Sequence, residues 1–146
     1  MIKKIIAICL LPIIFTGCIS TITNNKQMIL EDPDQVKLRS FQTRTYEDIS
    51  KETIMRACIA ALQDLSFVID RADMPTGTIT ATKYHTGQFM RFSITVRESL
   101  KTESNSILVR ANGQHNKSGF TEPMEEPEPY RIFFTTVDKS LFLENK

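Results

Sequence analysis

The stretch Gln88-Phe-Met-Arg-Phe-Ser-Ile-Thr-Val-Arg97 decides the fold. Met90, Phe92, Ile94 and Val96 alternate with Phe89, Arg91, Ser93, Thr95 and Arg97. A period of two is the side-chain period of a β-strand, here with one apolar and one polar face. Upstream, Thr78-Ile-Thr-Ala-Thr-Lys-Tyr84 alternates Ile79 and Ala81 with threonines, a second half-buried strand. Asp73-Met-Pro-Thr-Gly77 before it carries turn residues, and Phe67-Val-Ile-Asp70 begins the strand that leads into that turn. Downstream, a polar turn spans Glu98 to Asn105. Ile107, Val109 and Ala111 then line one face of a last strand, with Leu108, Arg110 and Asn112 on the other.

Two segments change to helical spacing. From Lys51 to Leu65, Ile54, Ala57, Cys58, Ala61, Leu62 and Leu65 form one stripe, with Asp48 or Ser50 as candidate N-cap. Near the C-terminus, Tyr130, Phe133, Phe134, Val137 and Leu141 form another, opened by Pro129, whose missing N–H costs nothing in a first helical turn. Between the last strand and this helix, Gln114 to Pro129 holds three prolines and four glutamates and reads as an extended acidic connector. Val36 to Tyr46 is rich in β-branched and aromatic residues and reads as a first strand. The expected order is β-α-β-β-β-β-α. It describes an α+β two-layer sandwich, a mainly antiparallel sheet with two helices on one face and the other face open.

The chain begins Met1-Ile-Lys-Lys-Ile-Ile-Ala-Ile-Cys-Leu-Leu-Pro-Ile-Ile-Phe-Thr-Gly-Cys18. Its apolar run, Ile5 to Phe15, is shorter than the roughly 20 residues needed to span a bilayer. It has the length and basic flank of an export signal. Phe15-Thr-Gly-Cys18 resembles the lipobox of bacterial lipoproteins, departing from it at Phe15, where Leu is usual. That resemblance implies cleavage after Gly17 and diacylglycerol on Cys18; the alternatives are an ordinary cleaved signal or an uncleaved anchor. It also implies delivery to the outer membrane, because Ile19 is not the aspartate that favours inner-membrane retention. The expected organisation is a signal over 1–17, a lipidated cysteine with a flexible tether over 18–35, and one domain over 36–146. A polar tether of seventeen residues reaches roughly 20–25 Å.

Charge excludes some functions. With 18 basic and 17 acidic side chains, the chain offers no surplus of cations for nucleic acid or for a polybasic membrane patch. Attachment to a membrane would then come through lipid alone. Cys9 leaves with the signal and Cys18 is consumed by lipid, so Cys58 stands alone in mid-stripe as a small core residue.

Further stretches carry a family resemblance: Gln42-Thr-Arg-Thr-Tyr46, Ala60-Ala-Leu-Gln-Asp-Leu-Ser-Phe67, Gly77-Thr-Ile-Thr-Ala-Thr-Lys83 and Tyr130-Arg-Ile-Phe-Phe through Ser140-Leu-Phe-Leu-Glu144. Together they look like a group of small bacterial lipoproteins in which a leucine-glutamine-aspartate-leucine-glycine-phenylalanine junction joins the first helix to a strand. Ser66 stands where that junction has glycine. The element order is also similar to the helix-grip domains of BamC, a lipoprotein of the outer-membrane β-barrel assembly machinery, a likeness of topology that carries no function.

Candidate sites are few. His85 and His115 follow two strands and, without a third ligand at fixed spacing, do not define a metal site. Asp64, Asp70 and Asp73 are placed where a helix end and a turn favour aspartate. No nucleophile elbow or phosphate loop accompanies them. No catalytic residue, metal or cofactor is therefore expected. Phe89, Arg91, Arg97 and Arg110 fall on the less apolar strand faces, either as a partner-binding face or as a solvated face with cross-strand pairing. The expectation is a membrane-anchored, non-enzymatic binding or assembly module on the periplasmic face of the outer membrane, with another envelope protein as partner. The alternatives are a small-ligand or lipid-binding domain, with a cavity between the sheet and the Tyr130–Leu143 helix, and an envelope hydrolase using Asp64, Asp70, His85 or His115.

Overall fold

Alternation in the strands and 3.6-residue stripes in the helices make the same demand, since each element has one apolar face to hide. The computed structural model, which describes residues 33–99, 105–117 and 119–144, meets it with a two-layer α+β sandwich. The elements are α1 (Pro33–Gln42), β1 (Thr43–Glu47), α2 (Lys51–Asp64), β2 (Val68–Asp73), β3 (Thr78–His85), β4 (Gln88–Glu98), β5 (Ser106–Lys117), β6 (Phe120–Pro123) and α3 (Pro127–Glu144). The strands form one antiparallel sheet in the order β1-β5-β4-β3-β2. β6 pairs with the far half of β5, and the three helices cover one face. Residues 1–32, with the signal, Cys18 and nearly all of the expected tether, lie outside the described residues.

Two elements differ from the sequence expectation. Val36 to Gln42 is helical, so the helices number three, and only Thr43 to Glu47 of the expected first strand is extended. Leu38, Phe41 and Gln42 turn inward at helical spacing while Val36 stays 57% exposed. Pro33 and Asp34 suit a helix start. The second difference is β6, within the expected acidic connector. It is an edge strand of four exposed residues, and its Pro123 is tolerated because it closes the strand at the sheet's margin.

The strand register carries the apolar alternation across the sheet. Ile79 faces Ile94, Ala81 faces Phe92, and Val96 faces Val109. All are buried against the helices. Across the layers, Phe92 stacks on Phe133 of α3 at 5.6 Å and meets the edge of Tyr130 at 5.8 Å. Phe133 and Phe134 are themselves in contact at 5.1 Å. On the margin, Asp138 of α3 accepts hydrogen bonds from Arg44 and from the Tyr46 hydroxyl, and the Arg44 guanidinium lies over the Phe134 ring. That cluster fastens β1 to α3.

Local geometry marks the element ends. Ser50 caps α2 by accepting the Thr53 N–H at 3.1 Å. At the other end Ser66 adopts a left-handed φ of 65°. The Phe67 N–H reaches the Leu62 carbonyl at 2.9 Å and the Ser66 N–H the Gln63 carbonyl at 2.8 Å, a Schellman closure. Glycine is the usual residue there because a Cβ in the left-handed region costs about 1–2 kcal/mol. Thr86 and Gly87, both at positive φ, make the two-residue turn between β3 and β4.

Two outcomes follow. Ser66→Gly raises stability by about 0.5–1.5 kcal/mol in urea denaturation, by removing that strain. Tyr130→Phe removes a buried hydroxyl that donates to the Met124 carbonyl at 2.7 Å and accepts from the Gly113 N–H and Gln42 Nε2 at 3.1 and 3.2 Å. Stranding those groups lowers stability by about 2–4 kcal/mol in the same assay.

Candidate functional site

The space between the sheet and α3 is filled. Phe92, Phe133 and Phe134 are each no more than 2% exposed, so the centre of that interface holds no ligand cavity. Open space lies instead at one end of it. There the β3–β4 and β5–β6 hairpins run past the last turn of α2 and the first turns of α3. A cleft of about 860 Å³ results, within the range of small-ligand sites. Phe67, Met90, Phe92 and Met124 line it together with Leu65 and Ile132.

Polar groups stand around this apolar lining. Lys83, His85, Gln88, His115 and Asn116 come from the strands, Glu126 from the connection before α3 and Glu128 from its first turn. The Lys83 ammonium donates to the Leu65 carbonyl at 3.0 Å and lies 5.8 Å from the centre of the Phe67 ring. Glu128 is engaged by Arg131 through two hydrogen bonds of 2.9 Å. That guanidinium holds the Glu128 carboxyl below its ordinary range. Beside the cleft, a hollow of about 270 Å³ is bordered by His115, Glu122, Glu125 and Glu126.

The two histidines meet this cleft from different strands. His115 faces Met90 across the β4–β5 pairing, whereas His85 faces Gln88 beside the β3–β4 turn, so β4 runs between them. His115 Nε2 lies 3.9 Å from a Glu122 carboxylate oxygen. Among the described residues no three potential metal ligands converge. The three aspartates are apart in role. Asp64 closes α2, and Asp70 accepts a 2.6 Å hydrogen bond from the Thr82 hydroxyl. Asp73 accepts the Thr76 N–H at 3.0 Å, which holds its carboxyl below the usual range.

Arg91, Arg97 and Arg110 take strand positions that alternate with the buried ones, on the face of the sheet away from the helices. Phe89, near the start of β4, also lines the cleft. Arg97 is paired with Leu108, Arg110 with Thr95 and Arg91 with Thr82. Arg91 Nε donates to the Thr82 hydroxyl at 3.1 Å, and its guanidinium lies 5.4 Å from the Phe89 ring. Arg110 Nε and Ser106 Oγ on this face are buried without a hydrogen-bond partner among the described residues. The rest of the face is mostly threonine, serine, asparagine and glutamine.

The cleft residues are hard to single out in the sequence. Met90 and Phe92 read as ordinary core positions of β4. Two weak signals exist: Ile132 is apolar but lies off the α3 stripe, and Met124 is apolar within an acidic, proline-rich stretch. Ile132 is 44% exposed and Met124 only 1%, and those signals gain meaning only in three dimensions.

Among the described residues no helix is long and apolar enough to cross a membrane. Fold and cleft together define a small α+β sandwich with an apolar recess at one end. Comparison with protein-family models and with curated protein sequences yields no match for the chain.

Cys58 is fully buried in α2, and desolvation pushes its thiol up to about 12 from an ordinary value of 9.0. Burial, with the Asp138 carboxylate beside it, also raises the Tyr46 phenol. As pH rises above about 9 the unfolded thiol loses its proton while the folded one keeps it. Stability therefore falls as pH rises through the interval from about 9 to about 12. Urea midpoints between pH 8.5 and 10.5 should decline, and less steeply in Cys58→Ala.

Proposed function

We propose that this protein is a non-catalytic binding module that holds an apolar ligand in the cleft at the end of its sandwich. In this reading it is carried by lipid on Cys18 at the periplasmic face of the outer membrane. The supporting observation is the cleft itself. A recess of about 860 Å³ whose partly exposed apolar lining is Leu65, Phe89, Met90, Pro129 and Ile132 leaves apolar surface in water that a ligand would cover. Its polar groups form no nucleophile–base pair, so the arrangement suits retention of a molecule rather than its conversion. The arginine face plays the solvated part in this reading, because Arg91 is already held by Thr82 and by Phe89. The lipobox-like Phe15-Thr-Gly-Cys18 supports the anchor.

The neutral dye N-phenyl-1-naphthylamine, fluorescent only in apolar surroundings, tests the cleft. It should bind the full chain at one site. Ile132→Arg, at a half-exposed position on the cleft wall, should weaken it at least tenfold without changing the circular dichroism. Equal binding by the variant would remove the cleft from the account. In growing cells, radioactive palmitate should label the wild-type chain and not Cys18→Ser.

A further inference from the structure

The cleft is polar at its rim in a sided way. Lys83 stands on β3, next to Leu65 and Phe67. On the far side, beyond β4 and β5, Glu122 lies on β6, and Glu125 and Glu126 follow in the connection to α3. Glu126 and His115 border the cleft and the adjoining hollow alike. One flank thus offers the Lys83 ammonium, which gives one of its three N–H donors to the Leu65 carbonyl. The other offers a row of carboxylates, while Glu128 is already matched by Arg131. An anionic head group would face the row of carboxylates, and a purely cationic one would face Lys83. A head carrying both charges, with its amine outermost, suits both flanks.

The floor selects against a peptide. Met90, Phe92 and His115 belong to strand segments hydrogen-bonded on both sides, to β3 and β5 or to β4 and β6. Their backbone groups are therefore already paired. An extended peptide laid there would lose water from its own N–H and C=O groups without replacement partners. An acyl chain has no such groups to satisfy. The flexible, half-buried side chain of Met90 adapts to its shape.

Resting on the reading of the cleft as a binding site, we propose that its ligand is a single-chain zwitterionic lipid bearing a phosphate and an amine. The acyl chain lies on Leu65, Phe89, Met90, Pro129 and Ile132. The phosphate faces Lys83, and the ammonium faces Glu125 and Glu126.

The test uses the full chain with Cys18→Ser, so that no attached acyl group competes, and displacement of N-phenyl-1-naphthylamine by lipids below their micellar concentrations. Palmitoyl lysophosphatidylethanolamine should displace the dye with one-to-one stoichiometry. Palmitate and palmitoyl lysophosphatidylglycerol should need at least tenfold higher concentrations. In Glu125→Lys/Glu126→Lys that order should invert, while dye binding persists. Equal displacement by all three lipids, or an unchanged order in the double variant, overturns the proposal. So does displacement by an apolar peptide but by none of the lipids, an outcome that leaves the cleft as a binding site. If the dye itself fails to bind, the cleft reading falls as well, which separates the two failures.

Discussion

The Tyr130 hydroxyl is the point on which the packing of this domain converges. It takes hydrogen bonds from Gly113 in β5 and Gln42 in α1, and it gives one to Met124 after β6. One oxygen on α3 thereby joins the central sheet, the first helix and the sheet's last excursion. Its full burial makes each bond matter more, because the partners have no water to fall back on. Gly113 is part of the arrangement: a Cβ there would meet Met124 Cε, the Tyr130 hydroxyl and Phe92. Absence of a side chain at that position lets α3 approach the sheet so closely.

With α3 pinned by its first turn, the aromatic layer behind it closes. Phe92, Phe133 and Phe134 pack edge and face, and the Arg44–Asp138–Tyr46 cluster fixes the sheet margin. The same pinning leaves the cleft. Tyr130 is only the fourth residue of α3, and the strands ending at His85 and Lys117 continue past that helix start. The uncovered part of the helix-side face has to be apolar near the core and polar at its rim. The floor of the cleft is thus an extension of the hydrophobic layer, shaped by where a helix begins.

Much of this was legible because burial imposes a period. β4 and α2 could be placed from alternation and from a stripe, since both elements bury one face along their whole length. Even Ser66 was readable as the place where a helix ends, although its left-handed φ takes the conformation glycine normally supplies. α1 was not legible. Its ten residues carry too short a stripe, and Leu38 and Phe41 are drawn inward by the core that α3 and the sheet edge build beside them. β6 was hidden for a related reason: all four of its residues are exposed, so no periodicity records its pairing with β5.

The sequence by itself determined the class of fold, the inward faces of its strands and helices, and the inert setting of Cys58, because each follows from local patterns of hydrophobicity. Tertiary structure alone decided that Leu65, Phe67, Met90, Met124 and Ile132 share one cleft. It also decided that Lys83 and the acidic connection stand on opposite flanks of it. Those residues come from α3, two strands and the connections around them, and no local rule of spacing relates them. Their proximity is set by sheet order and by the single buried hydroxyl that fixes where α3 meets the sheet.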